Sequence, residues 1–320
     1  MQLLLAIALA FSVVPQAEPP RPVTLVAVGD LMLARSIGER IVKRRDPFAA
    51  VGEQLRAADL TIGNLECAIA TVGVPQPKAY TFRAPPAAAA RMAEAGFDVL
   101  ALANNHSLDY GTAALSETVG LLGAQQIEGV GAGPSEAAAH RPAVREVRGV
   151  KIAFLAYVDV PTERGGFRTA RWAAHDGRGG VAWAETTRIR ADVAAARDGA
   201  DAVVVLLHSG IEGQETPSTA QRAAARAAID AGAALVIGSH PHVLQGVERY
   251  RDGVIAYSLG NFVFDGLYKT SETAILTVTL EAGKVTSVAW TPVALRDGFP
   301  QVAGGKQAKR ILDRLARLSR

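Results

Sequence analysis

Residues 203–212 read VVVLLHSGIE, an apolar, β-branched run that stops at two metal-competent side chains, His208 and Glu212. The pattern recurs: VTLVAVGD (23–30) stops at Asp30, LTIGNLE (60–66) at Asn64 and Glu66, VLALANNH (99–106) at Asn105 and His106, and ALVIGSHPH (234–242) at His240 and His242. Such runs read as buried strands of an α/β fold. In a parallel sheet the strands point one way, so residues just past their C-termini gather along one edge, where these folds hold ligands. The stops therefore predict a functional sheet edge.

The residues at these stops are chemically coherent. Carboxylate, Asn carbonyl and neutral imidazole are the donors that Zn, Mn and Fe accept. Of the 6 histidines in the chain, only His140 and His175 fall outside the stops. A lone His after a strand is an ordinary polar residue, but the His-x-His pair at His240 and His242 favours ligands.

The 320 residues, 49% of them hydrophobic, suffice for one large domain. A net charge of +3, with no cluster of basic and aromatic residues, argues against a nucleic-acid partner. The single cysteine, Cys67, rules out an internal disulfide and reads as a small buried side chain beside Glu66. LLLAIALAFSVV (3–14) has the composition of a secretory signal, or of an N-terminal anchor, and predicts an exported protein, periplasmic or extracellular. A buried N-terminal element is the alternative, opposed by the stiff EPPRP linker at 18–22. The expected organisation is residues 1–22 as signal and linker, 23–300 as the domain, and 301–320 as an amphipathic helix.

Strand and helix patterns alternate from Val23 onward, which predicts a largely parallel sheet. Helices are expected at 47–58, 86–95, 112–123, 185–198 and 217–231, the last with Pro217 in its first turn. KIAFLAYVDV (151–160) and VIAYSLGNFVF (254–264) read as further strands, with Asp159 a weaker candidate for the edge. Residues 273–293 carry the period of an antiparallel hairpin. The arginine- and glycine-rich stretch between Pro161 and Trp183 is either a flap over the edge, offering arginines to an anionic substrate, or a surface insertion. Ile311, Leu312, Leu315 and Leu318 form an apolar face on the last helix, suited to packing, with a membrane surface or an acidic polymer as the alternative.

The motifs GDLMLAR, GNLECAI, NNHSLDYG, HSGIE, GSHPHVLQGVE and YSLGNFVF, in this order from 29 to 264, resemble those of the poly-γ-glutamate capsule synthesis (CapA-like) family, a branch of the calcineurin-like metallophosphoesterases. The resemblance implies a four-layered α/β/β/α sandwich with two stacked mixed sheets and one or two divalent ions (Mn, Zn or Fe). It implies Asp30, Asn105, His208, His240 and His242 as metal ligands, with Glu66 in the place of the bridging carboxylate. Met32 stands where the wider superfamily has the His of Asp-x-His, Ser209 where the family has Trp, and Ser239 where it has a further His.

On this reading His106 is a general acid whose other ring nitrogen Asp109 orients. Asn64, Glu212 and Asn261 are candidate substrate contacts. The substrate is a phosphoester or an anionic polymer such as γ-linked polyglutamate, processed by a metal-dependent hydrolase. The alternative is a non-catalytic polymer-binding component of a membrane synthesis and export complex. Ser258 lacks the Gly-x-Ser-x-Gly elbow of a serine hydrolase.

Overall fold

In the strand Ala202–Ser209 every side chain is buried, and alternate residues serve different faces. Ala202, Val204 and Leu206 enter a core between two sheets, whereas Val203, Val205 and Leu207 pack against helices Thr186–Arg197 and Thr219–Asp230. The computed structural model describes residues 22–175, 177–266 and 271–319. The signal-like segment at Leu3 to Val14 lies outside them.

The chain builds one sheet, moves to a second, and returns. Strands β1 (Val23–Leu31), β2 (Leu60–Leu65), β3 (Val99–Ala101) and β4 (Glu128–Val130) are mutually parallel. The second sheet holds β5 (Ala143–Val147), β6 (Val150–Asp159), β7 (Ala202–Ser209), β8 (Leu235–Ser239), β9 (Val247–Tyr250) and β10 (Gly253–Ala256), in the order β9-β10-β8-β7-β6-β5. Its four central strands are parallel, and β5 and β9 are antiparallel edges. The chain then re-enters the first sheet through β11 (Asn261–Val263), β12 (Glu272–Glu281), β13 (Lys284–Arg296) and β14 (Phe299–Val302), giving β14-β13-β12-β1-β2-β3-β4 with β11 on the end of β1. Helices Arg35–Val42, Ala87–Ala95 and Gly111–Ala124 pack on the first sheet, so the layers are α/β/β/α.

Several expectations are corrected. The single, largely parallel sheet read from the strand pattern gives way to the two mixed sheets that the resemblance implies: the hairpin β12-β13 docks antiparallel on β1, and β5 and β9 are antiparallel edges of the second. Its turn is Ala282-Gly283, both at positive φ, as a two-residue hairpin requires. VIAYSLGNFVF is two strands in different sheets. The break falls at Gly260 (φ 69), where the Ser258 hydroxyl donates to the Val243 carbonyl at 2.7 Å. The helix expected at 47–58 shrinks to Gly52–Arg56, since the Asp46 carboxylate takes the Phe48 amide at 2.8 Å and holds a turn. Ser218, not Pro217, starts its helix, in a capping box with Gln221. The helix Arg35–Val42 has no side-chain cap and so no start signal in the sequence.

The last helix, Gly305–Leu318, buries Ile311 and Leu315 against Leu244 and Ala274, which makes it a packed surface helix. Among the described residues no helix is long and apolar enough to cross a membrane.

Candidate metal centre

β1 delivers Asp30 through a tight approach to the crossover. A Cβ on Gly29 would lie 1.8 Å from the Gly260 carbonyl oxygen, and the Asp30 amide donates to that oxygen at 2.9 Å. A register shift between Ala27 and Asp30 then pairs Asp30 with Asn64 on β2 and with Asn261 on β11. Asp30 and Glu66 are both fully buried, and the Asn64 amide bridges them, donating at 2.8 Å and 2.7 Å. The Asn64 carbonyl accepts from Asn104 at 3.1 Å. Asn64, expected as a substrate contact, here has both ends of its side chain engaged and orients the two carboxylates.

The second sheet supplies imidazoles. His208 shares the parity of Leu206 and so faces the first sheet; Asp159 shares that of Leu155 and Tyr157 and belongs to the helix side. His208 Nδ1 meets the Ser239 hydroxyl at 2.8 Å, and its Nε2 lies 2.8 Å from Asn105 Oδ1 and 3.8 Å from Glu66 Oε1. Past β8 the chain turns through His240 (φ 94) and His242 (φ 60), a left-handed conformation rare outside glycine and frequent at functional sites. His242 Nδ1 lies 3.0 Å from Asp30 Oδ2, with its Nε2 3.9 Å from Glu66 Oε1. Asn261, fully buried, sits behind it with Oδ1 2.9 Å from the same Nδ1. Asn261, expected as a substrate contact, here holds the His242 ring.

These groups form two clusters, Asp30 with Glu66 and His208, and Glu66 with His240 and His242, each with donor atoms within 4.8 Å of one another. Glu66 belongs to both. Its Oε1 and His240 Nδ1 are buried with no hydrogen-bond partner. Other buried atoms, such as Ser209 Oγ and Arg145 Nε, are also without a hydrogen bond, but only these two lie inside a ring of N and O donors among the described residues, an arrangement that fits a divalent cation.

The electrostatics agree. Burial, and then the adjacent Asp30 charge, push the Glu66 carboxyl well above the usual range. Burial would raise Asp30 too, but the hydrogen bond and charge of His242 outweigh it and hold Asp30 well below. Burial, and then neighbouring imidazoles, lower His208 strongly and bring His240 down to about 3, the neutral form a metal ligand needs. For His242 the hydrogen bond to Asp30 overcomes burial and raises it. Glu66 and His242, both raised, hold their protons more tightly than usual, and a cation binding between them competes with those protons. Titrating zinc or manganese into chelator-stripped protein is expected to release protons, and affinity is expected to fall as the pH is lowered. Calorimetry in buffers of different ionisation enthalpy reads this directly, and a pH-independent, proton-silent uptake would contradict it.

A second arm adjoins the carboxylates. His106 Nδ1 lies 2.8 Å from Asp109 Oδ2, and the ring stacks on Phe82 at 4.3 Å between centroids. Asp109 is held in turn by the Phe82 amide at 2.6 Å and by Lys78 Nζ at 2.7 Å. Lys78, its ammonium fully buried, also donates to the Asn105 carbonyl at 2.6 Å and to Glu163 at 2.5 Å. Glu163 Oε1 accepts from the Asn105 amide at 2.8 Å as well. Lys78 and Glu163 carry no strand-end signal, and Asn104 and Ser239, although they lie within the NNH and SHPH stops, are not among the site residues expected from sequence.

Glu212 is exposed, and its charge acts on Glu66 and His242, which places it near the mouth. Met32 is fully buried in the core and offers nothing to the centre. The buried Cys67 thiol is pushed up to about 12 by desolvation and is inert there.

Residues 24–266 match the model of the bacterial capsule synthesis protein PGA_cap family. The capsule biosynthesis protein CapA of Bacillus anthracis is 32% identical over 290 residues, covering 87% of this chain and 69% of that protein. The PGA biosynthesis protein CapA of Bacillus subtilis (strain 168) is 34% identical over 280 residues, covering 85% and 72%. Among solved structures, a novel phosphatase from Mycoplasma pneumoniae superposes with a TM-score of 0.54 at 12% identity, covering 87% of this chain and 95% of that one. A hypothetical protein from Thermus thermophilus gives 0.53 at 17% identity, covering 85% and 100%. Likeness at this identity speaks for the fold alone.

Proposed function

The chain belongs to the bacterial capsule synthesis protein family, and on that basis we propose that it is a metal-dependent hydrolase acting in anionic capsule-polymer metabolism. The observation that carries the reading is Glu66 Oε1, buried, unpartnered and common to both donor clusters. Asp30, Glu66, Asn105, His208, His240 and His242 would hold one or two divalent ions. Such ions polarise a carbonyl or phosphoryl oxygen and lower the pKa of water.

The remaining steps belong to the chain itself. Asn64 fixes the two carboxylates, and Ser239 turns His208 Nε2 toward Glu66. Asp109 fixes the His106 ring through Nδ1, leaving Nε2 to protonate a departing amine or alkoxide. The exposed Glu212 is suited to meeting substrate at the mouth. Metal-loaded protein should cleave either a generic phosphodiester or γ-linked glutamate oligomers, and chelation should abolish that cleavage. Metal-loaded protein inert toward both would refute the hydrolase.

One observation favours a second reading. The superfamily position occupied by Met32 supplies no imidazole, which suits a non-catalytic polymer-binding component of a membrane synthesis complex. Tight polyglutamate binding without turnover is its signature.

Export, periplasmic or extracellular, is also part of the proposal, on the apolar run at Leu3 to Val14. A fusion of residues 1–30 to an export-dependent reporter should be active; an inactive fusion would refute it.

A further inference from the structure

The stretch from Pro161 to Trp172 is ordered around a tight turn. The Gly166 amide donates to the Glu163 carbonyl at 3.0 Å, the Glu163 amide to the Phe167 carbonyl at 2.9 Å, and Gly165 and Gly166 take positive φ of 99 and 86. Thr169–Trp172 is a short 3-10 helix. The base of the turn is tied to the centre: Glu163 accepts from the side-chain amide of Asn105, whose Oδ1 lies 2.8 Å from His208 Nε2. Beside the turn lies a cavity of about 940 Å³ walled by Lys78, Arg164, Gly165, Gly166, Arg168 and Arg171.

Lys78 is paired with Asp109 and Glu163, but the three arginines of this cavity have no carboxylate partner among the described residues. Other surface arginines are mixed: Arg188, Arg226, Arg310 and Arg314 pair with Glu136, Glu248, Glu272 and Glu215, while Arg44, Arg141 and Arg296 have no carboxylate partner among the described residues and stand apart from one another in the chain. Arg164, Arg168 and Arg171 are exposed, and among the described residues no carboxylate pairs with them. The nearest acid, Glu163, is engaged by Lys78 and Asn105.

A single phosphate needs one or two guanidinium groups. Three, spread along a cavity of this size, suit a ligand with several separated anions. The aromatic rings here are not free to stack bases: Trp172 is buried, and Arg171 covers Phe167 at 4.2 Å. We propose that the Arg164, Arg168 and Arg171 cleft is a specificity subsite that pairs with successive carboxylates of an extended polycarboxylate chain, while an adjoining unit of that chain reaches the metal-competent residues. The inference rests on the reading of that centre as a substrate site.

The test uses the full chain. Binding of γ-linked glutamate oligomers of increasing length, of inorganic phosphate and of a single-stranded oligonucleotide is measured by calorimetry. Wild type is compared with the R164Q/R168Q/R171Q triple variant and with an Arg251→Gln control on another face, with metal content and melting temperature read on the same samples. The expected result is wild-type affinity that rises with oligomer length, falls with salt, and drops at least about tenfold in the triple variant alone, with metal content and melting temperature unchanged. Equal affinity of triple variant and wild type, absence of oligomer binding by wild type, or preference for the oligonucleotide would overturn the assignment. Oligomer binding lost in the triple variant, by a wild type that holds no metal, would refute the metal centre while supporting the cleft.

Discussion

Replacing His106 with Gln is expected to lower the rate of metal-loaded protein by roughly 10² to 10⁴-fold while leaving metal content and melting temperature close to wild type. The basis is geometric. Among the described residues no hydrogen bond joins the His106 ring to a residue assigned as a metal ligand; its Nδ1 is held by Asp109 and its ring rests on Phe82. Gln preserves bulk and polarity but cannot carry a proton from one group to another. Rate, bound metal and thermal denaturation on one preparation decide the matter, because a merely structural His106 would lose metal and stability together.

Lys78→Met is expected to have the largest effect on stability, about 3–5 kcal/mol. The ammonium is fully buried between Asp109 and Glu163, so the substitution strands a fully buried carboxylate and a second that is only 9% exposed. For a chain of this size the melting temperature should drop by about 2–4 °C per kcal/mol. Denaturant unfolding of the two proteins measures the difference, and a loss below about 1 kcal/mol would show that the surroundings relax to solvate the carboxylates. The further substitution Glu163→Gln should recover part of the loss by removing one of the stranded charges.

The sequence made the strand ends legible because burial on both faces writes continuous apolar runs, and each run stops where the chain reaches the edge. Asp30, Glu66, His208 and His242 could be located from that signal alone, and the structure brings them together. Composition is silent about which sheet a strand joins. VIAYSLGNFVF reads as one strand, yet Gly260 hands it from one sheet to the other, and that handover sets Asn261 behind His242. Asn64 and Asn261 look like substrate contacts in sequence because an Asn at a sheet edge is usually exposed. Here Asn64 donates to two carboxylates and Asn261 Oδ1 meets the His242 imidazole, partners that only the packing reveals. Lys78 and Glu163 lie in connections without periodicity, and their pairing across 85 positions leaves no local trace.

The central claim is that Glu66 is the carboxylate shared by two halves of one divalent-metal site. Elemental analysis of wild type and Glu66→Ala, purified without chelator and then saturated with manganese or zinc, tests it most directly. Wild type should retain one or two ions per chain after desalting. Glu66→Ala should retain almost none, with its fold intact by circular dichroism. Equal metal content in the two proteins, or a wild type that holds no metal after saturation, would contradict the claim.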